Sequence, residues 1–186
     1  QRQMCIRDSL RQQKYAHATV CRKIASLRSF FRFLVNQGLL QHNPAALVTT
    51  PSRPRQLPEV LYPYEVEQLL AAPDTTTPLG LRDRAILEFL YATGVRVSEL
   101  VGLNLDDINL DDRTARVHGK GSRERIVFFG RPAAQALSEY LASARPKLAA
   151  ASKCGSTEKA VFLNRFGGRL SARGVQRLVN KYVLQA

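Results

Sequence analysis

Between residues 19 and 40 the apolar residues Val20, Ile24, Leu27, Phe31 and Leu34 recur at steps of four and three. That spacing puts them on one face of an amphipathic helix, with Gly38 placed to end it. Arg22, Lys23, Arg28 and Arg32 take the other faces. The pattern then breaks. Over residues 43–63 come Pro44, Pro51, Pro54, Pro58 and Pro63, with Arg53 and Arg55 among them. Each proline lacks a backbone donor and turns its predecessor away from helix, so this stretch is predicted to be an extended linker with a domain boundary near residue 56.

Helical spacing resumes at Pro63, a favoured first-turn residue, and runs through Val66, Leu69 and Leu70 to Pro73. A third helix is predicted over residues 81–93. Ile86, Phe89 and Leu90 point inward there, Arg82, Asp83, Arg84 and Glu88 are more exposed, and Gly94 closes the helix in a left-handed cap. After a helical turn over residues 98–101 the period changes to two. Ala115 and Val117 mark one strand and Ile126 and Phe128 a second, joined by His118-Gly119-Lys120-Gly121-Ser122 as a hairpin loop. A helix over residues 132–144, a short strand over 160–163 and a last helix after Ser171 complete the pattern, with no internal repeat. The expected fold is mainly α with a small antiparallel β-sheet. It divides into a small helical domain over residues 1–55 and a larger, mostly helical one over residues 56–186.

Charge changes what this fold should do. Among 186 residues, 28 Lys and Arg face 15 Asp and Glu, a net charge of +13. Such an excess points to a polyanionic partner, nucleic acid ahead of an anionic membrane surface. No run approaches the roughly 18 apolar residues of a membrane span, so no membrane is expected. Cys5, Cys21 and Cys154 have no paired spacing, and His17, His42 and His118 make no ligand motif with them, which argues against a disulfide framework or a zinc site. Arg2 and Arg7 precede no apolar core of a secretory signal. A reducing, cytoplasmic setting is the expectation.

Arg96 and Lys120 stand out because their surroundings fix them. Arg96 follows the Gly94 helix stop, where a helix-turn-helix would hold its guanidinium fork at a set angle to grip two phosphate oxygens. Lys120, between Gly119 and Gly121 at a hairpin tip, lets the backbone come close to a ligand while the ammonium enters a groove. A plain Arg96–Glu99 ion pair and an ordinary polar turn are the alternative readings of each residue alone.

Together the two segments are recognisable. Tyr91-Ala92-Thr93-Gly94-Val95-Arg96-Val97-Ser98-Glu99-Leu100 and Gly119-Lys120-Gly121-Ser122-Arg123-Glu124-Arg125 resemble the first catalytic box and the β-hairpin lysine motif of tyrosine recombinases, and the interval of 24 residues (120 − 96) fits. Ser26-Leu27-Arg28-Ser29-Phe30-Phe31-Arg32-Phe33-Leu34, Asn43-Pro44, Leu57-Pro58 and Arg82-Asp83-Arg84-Ala85 are similar to the Xer-type branch, from about residue 14 onward. The resemblance implies a partial helical core-binding domain followed by part of a catalytic domain, clamping double-stranded DNA. It also implies strand breakage and rejoining through a 3′-phosphotyrosyl link, without metal or nucleotide cofactor, in a tetramer on two DNA sites, alone or with a related recombinase. Arg96 would neutralise the scissile phosphate, Lys120 would protonate the leaving 5′-oxygen, and Glu99 would orient Arg96. Arg22, Lys23, Arg28, Arg32, Arg123, Arg173, Gln176 and Arg177 are the further candidates for DNA contact. The biological setting, Xer-type chromosome dimer resolution or phage-type integration, stays open.

The chain also departs from that family. It contains no His-x-x-Arg-His box, and none of Tyr15, Tyr62, Tyr64, Tyr91, Tyr140 and Tyr182 stands at the nucleophile's place, so the six are read as core or surface aromatics. A fragment that binds DNA without turning it over is therefore expected, with about half of the core-binding domain missing as well. Two rivals weigh less. Asp106, Asp107, Asp111 and Asp112 could hold magnesium or calcium for a nuclease, but an EF-hand frame from Asp107 puts Asp112 at the required glycine and His118 at the required glutamate. A non-catalytic basic DNA-binding module explains the charge and leaves the Arg96 and Lys120 segments without a reason.

Overall fold

The computed structural model of the chain describes residues 15–49, 60–119, 121, 123–152 and 158–185. The chain divides into two compact units, Gln1–Glu59 and Val60–Ala186. The predicted linker's residues 50–59, and the boundary near residue 56, lie outside the described residues, as do Lys120 and Ser122 of the hairpin loop.

The first unit is built on α1 (His17–Asn36), which stops two residues before Gly38 adopts a left-handed φ of 71°. Its buried Val20 and Ile24 pack on Ala45 and Val48, with Phe31 against them. Residues 43–49 are thus part of this small core and do not begin an extended linker. The reason is local. Asn43 Oδ1 accepts the Ala45 N–H at 2.9 Å, turning the chain, and Asn43 Nδ2 donates to the Arg28 carbonyl at 3.2 Å. Arg28 then binds the returning chain, its Nε donating to the Ala45 carbonyl at 3.3 Å and its Nη2 to the Val48 carbonyl.

The second unit opens with α2 (Pro63–Ala71), where Pro63 holds the first turn and the Glu65 carboxylate accepts the Tyr62 N–H at 2.7 Å. Helix α3 (Pro78–Thr93) starts three residues before the predicted helix, because Thr77 Oγ1 caps it by accepting the Gly80 N–H at 3.0 Å. Gly94, at φ 59°, closes it as the sequence predicts.

Three residues of α3 read as more exposed are buried: Arg82, Asp83 and Glu88. This helix is covered on several sides, by α2, by α5 (Arg131–Glu139) and by the π-turn Tyr140–Ala144 and α6 (Arg145–Ala150) that continue α5 past the predicted end. Its charges are paired instead of solvated. Arg82 donates twice to Asp83 Oδ1, at 2.8 and 2.6 Å, and once to the Leu163 carbonyl at 2.9 Å. Tyr182 Oη donates to Asp83 Oδ2 at 3.0 Å, and Arg84 meets Glu88 at 3.5 Å.

Helix α4 (Val97–Gly102) and the turn Leu105–Asp107 lead to a three-stranded antiparallel sheet in the order β1 (Ile108–Asn109), β2 (Thr114–His118), β3 (Glu124–Phe128). Ala115 and Val117 face the core as the alternation requires. Their partners across the ladder are Val127 and Arg125, so Ile126 and Phe128 turn outward, 64% and 73% exposed, and Phe129 fills the core in their place.

Residues 160–163 form no strand. They make isolated bridges, Asn104 to Ala160 and Leu163 to Arg169, and all four residues are buried. Arginines again hold the irregular chain: Arg145 donates to the Ala160 and Glu158 carbonyls, and Arg169 to the Val101 carbonyl and Asn104 Oδ1. Tyr140, fully buried, donates to the Val161 carbonyl at 3.0 Å and accepts the Leu163 N–H at 3.1 Å. Helix α7 (Ala172–Val183), capped by Ser171, buries Val175, Leu178 and Tyr182 against this core. Among the described residues no helix is long and apolar enough to cross a membrane.

Candidate active site

The site grows from the turn between α3 and α4. Gly94 ends α3, Val95 is buried, and Arg96 takes the extended backbone (φ −68°, ψ 149°) that precedes a helix. Glu99 lies in the first turn of α4 and reaches back, its Oε2 accepting the Arg96 N–H at 2.8 Å. The same carboxylate's Oε1 accepts from Arg96 Nη1 at 3.0 Å. Glu99 is therefore both the cap of α4 and the anchor of the arginine.

A second arginine completes the cluster. Arg125, on β3, places its fork on Glu99, Nη1 to Oε1 at 2.6 Å and Nη2 to Oε2 at 2.9 Å. The Glu99 side chain is 1% exposed, against 75% for Arg96 and 44% for Arg125. Hydrogen bonding from Arg125 is the largest influence on the carboxyl and, with the Arg96 bonds, outweighs burial to hold its pKa down to about 2. The same pairing raises that of Arg125.

The hairpin loop begins against this carboxylate. Gly119 donates its N–H to the Arg123 carbonyl at 2.7 Å, and a Cβ added at Gly119 would stand 3.6 Å from Glu99 Oε1. Residue 119 is thus at the rim of the cluster; Lys120, the next residue, is outside the described residues.

On the outer face of the sheet, Asp107 caps its turn by accepting the Asn104 N–H at 2.9 Å and meets Arg116 at 3.3 Å and His118 at 3.5 Å. Burial works to raise its pKa, but the Asn104, Arg116 and His118 contacts leave it lowered. His118 also meets Glu124 at 3.2 Å. Asp106, Asp111 and Asp112 are exposed, and Asp112 is bonded to Asn109. The four aspartates thus do not face one another.

The remaining candidates for DNA contact are dispersed. Arg123 is exposed beside the hairpin loop, and Arg173, Gln176 and Arg177 line the exposed side of α7. In the first unit Arg22 and Arg32 are exposed on α1, and Lys23 sits with its Nζ 4.2 Å from the Tyr15 ring centre. Arg28 differs from these: its guanidinium holds the Ala45 and Val48 carbonyls. Sequence reasoning singled out Arg96 and Glu99 and passed over Arg125. No local signal marked Arg125: its inward place on β3 opposite Val117, within reach of the buried Glu99 carboxylate, follows from the strand pairing.

Comparison with known proteins agrees with this architecture. The family described as "Phage integrase family" matches residues 59–186. The tyrosine recombinase XerC of Pelotomaculum thermopropionicum is 47% identical over 174 residues, covering 94% of this chain and 57% of that protein. The crystal structure of the XerA recombinase superposes with a TM-score of 0.59 at 24% identity, over 94% of this chain and 56% of its own. The Tn1549 transposon integrase in complex with a circular intermediate DNA reaches 0.71 at 18% identity, over 97% and 63%. The chain spans little more than half the length of the curated relatives it matches.

Proposed function

The chain belongs to the phage integrase family, and from that we propose that it works as part of a tyrosine site-specific recombinase that cuts and rejoins double-stranded DNA through a 3′-phosphotyrosyl link. Arg96 grips the non-bridging oxygens of the scissile phosphate with its fork and neutralises the negative charge that builds on them as the phosphorane forms. Lys120 protonates the leaving 5′-oxygen. Glu99 orients Arg96. The observation that carries this reading is the Glu99 cluster: a buried carboxylate holds Arg96 in place while three quarters of the arginine side chain stays exposed to a ligand.

Residues 1–55 are the helical core-binding part and residues 56–186 the catalytic part, with Arg22, Lys23, Arg32, Arg123, Arg173, Gln176 and Arg177 contacting DNA. Arg28 contributes mainly by shaping the first unit. The assembled enzyme is a tetramer on two DNA sites, alone or with a related recombinase, acting in the cytoplasm without metal or nucleotide. The 186 residues by themselves, without a His-x-x-Arg-His box, bind DNA and do not turn it over.

The roles are tested in a longer polypeptide that adds the box and a tyrosine nucleophile. Lys120→Ala is expected to lose cleavage of ordinary DNA and to regain it on a 5′-bridging phosphorothiolate, whose leaving group needs no proton. Arg96→Ala is not rescued. Full-rate cleavage of ordinary DNA by Lys120→Ala would rule out the general-acid role.

A further inference from the structure

The Glu99 carboxylate accepts four hydrogen bonds, and they are unequally shared. Arg96 contributes its own N–H, which belongs to the helix cap, and one guanidinium contact at 3.0 Å. Arg125 contributes both tines of its fork, at 2.6 and 2.9 Å, one on each oxygen. The carboxylate plane is set by Arg125, and the exposed Arg96 guanidinium hangs from it by a single bond. Two guanidinium charges against one carboxylate also leave the cluster with an unneutralised positive charge, on the side where Arg96 meets solvent.

Arg125 reaches this place because β3 pairs it with buried Val117, directing it to the inner face of the sheet, while Gly119 of the same hairpin packs beside Glu99. A lysine there could not span both oxygens.

Building on the reading of Arg96 as the phosphate-gripping residue, we propose that Arg125 is a positioning residue: through Glu99 it fixes the orientation of Arg96, and it ties the catalytic hairpin to the first turn of α4. It touches no reacting atom. Its effect on phosphate binding is transmitted entirely through the carboxylate.

The test is nitrogen-15 NMR of the arginine side chains in the 186-residue chain, with inorganic phosphate as the probe. In the unaltered chain the Arg96 signal shifts saturably with phosphate. In Arg125→Met that signal moves toward the position of a free arginine and the phosphate affinity read from it falls by about tenfold, at a melting midpoint lowered by no more than a few degrees. Arg125→Lys is intermediate. Adding Arg125→Met to Glu99→Gln weakens phosphate binding no further than Glu99→Gln alone, which a purely structural role for Arg125 would not produce.

An Arg96 signal and phosphate affinity unchanged in Arg125→Met overturn the inference. Should that variant fail to fold, the same unchanged result in Arg125→Lys overturns it. If Arg96 in the unaltered chain ignores phosphate, the functional reading of Arg96 fails on its own. Displacement of the Arg96 signal by Arg125→Met would still support the positional link.

Discussion

Replacing Glu99 by glutamine keeps the shape of the side chain, removes its charge and turns an NH₂ group toward two guanidinium forks. Removing one partner of a buried ion pair costs about 3–5 kcal/mol when the other is left unsolvated. Here the arginines left behind are 75% and 44% exposed and can be hydrated, so about 2 kcal/mol is the expected loss at neutral pH. The pH dependence is more specific. The carboxyl is held at about 2 in the folded chain against an ordinary 4.5. Between those values the unfolded chain binds a proton that the folded chain refuses. The contribution is therefore complete above pH 4.5 and is lost as pH falls toward 2. Urea unfolding followed by far-ultraviolet circular dichroism, suited to a chain without tryptophan, measures both effects. The gap between the unaltered chain and Glu99→Gln should be constant from neutral pH to mildly acid and then narrow. A gap under about 0.5 kcal/mol at neutral pH, or one that does not change with acid, would refute the stabilising role of the Glu99 cluster.

Tyr182→Phe strands Asp83 Oδ2 in the core and should cost about 1–2 kcal/mol by the same unfolding assay. Burial first, then the Asp83 charge and hydrogen bond, push the Tyr182 hydroxyl up to about 12, so the unaltered chain loses this stability as pH rises from about 10 through 12, and Tyr182→Phe lacks that component. Gly80→Ala would drive a Cβ to within 1.8 Å of the Asp74 carbonyl oxygen, and its melting midpoint should drop by several degrees. Duplex DNA affinity of the 186-residue chain, measured by fluorescence anisotropy across salt concentrations, should fall with a log–log slope of about −0.9 per phosphate contacted. Arg173→Gln should make that slope shallower by about one contact, and a flat salt response would remove DNA as the partner.

Local signals in the sequence were legible where the cause is local. Pro63 at a first helical turn, the Gly94 stop and the alternation of Ala115 and Val117 each depend on neighbouring backbone geometry alone. What escaped depends on partners far along the chain. Arg82 and Asp83 look like surface residues of α3 until the Leu163 carbonyl and Tyr182, 81 and 99 residues away, supply their hydrogen bonds. Ala45 and Val48 are too short an apolar signal to outweigh the prolines around them, yet Asn43 and Arg28 fold them onto α1. Ile126 and Phe128 mark β3 by their alternation, but only the ladder with β2 shows that they turn outward and that Val127 and Arg125 take the inner face. The same dependence on strand pairing hid Arg125, whose partner Glu99 lies 26 residues back. In the candidate site the first arginine and its carboxylate were readable from the motif around Gly94; the second arginine needed the strand pairing.

In the proposed recombinase Arg96 acts as a fork on a DNA phosphate and not merely as a positive charge. Single-turnover formation of the covalent protein–DNA adduct, in a polypeptide that continues this chain through a His-x-x-Arg-His box and a tyrosine, tests it with one substitution. Arg96→Lys keeps the charge and removes the planar pair of donors, and should slow adduct formation by about a hundredfold or more while duplex affinity stays within about threefold. Adduct formation by Arg96→Lys at the rate of the unaltered protein would contradict the account.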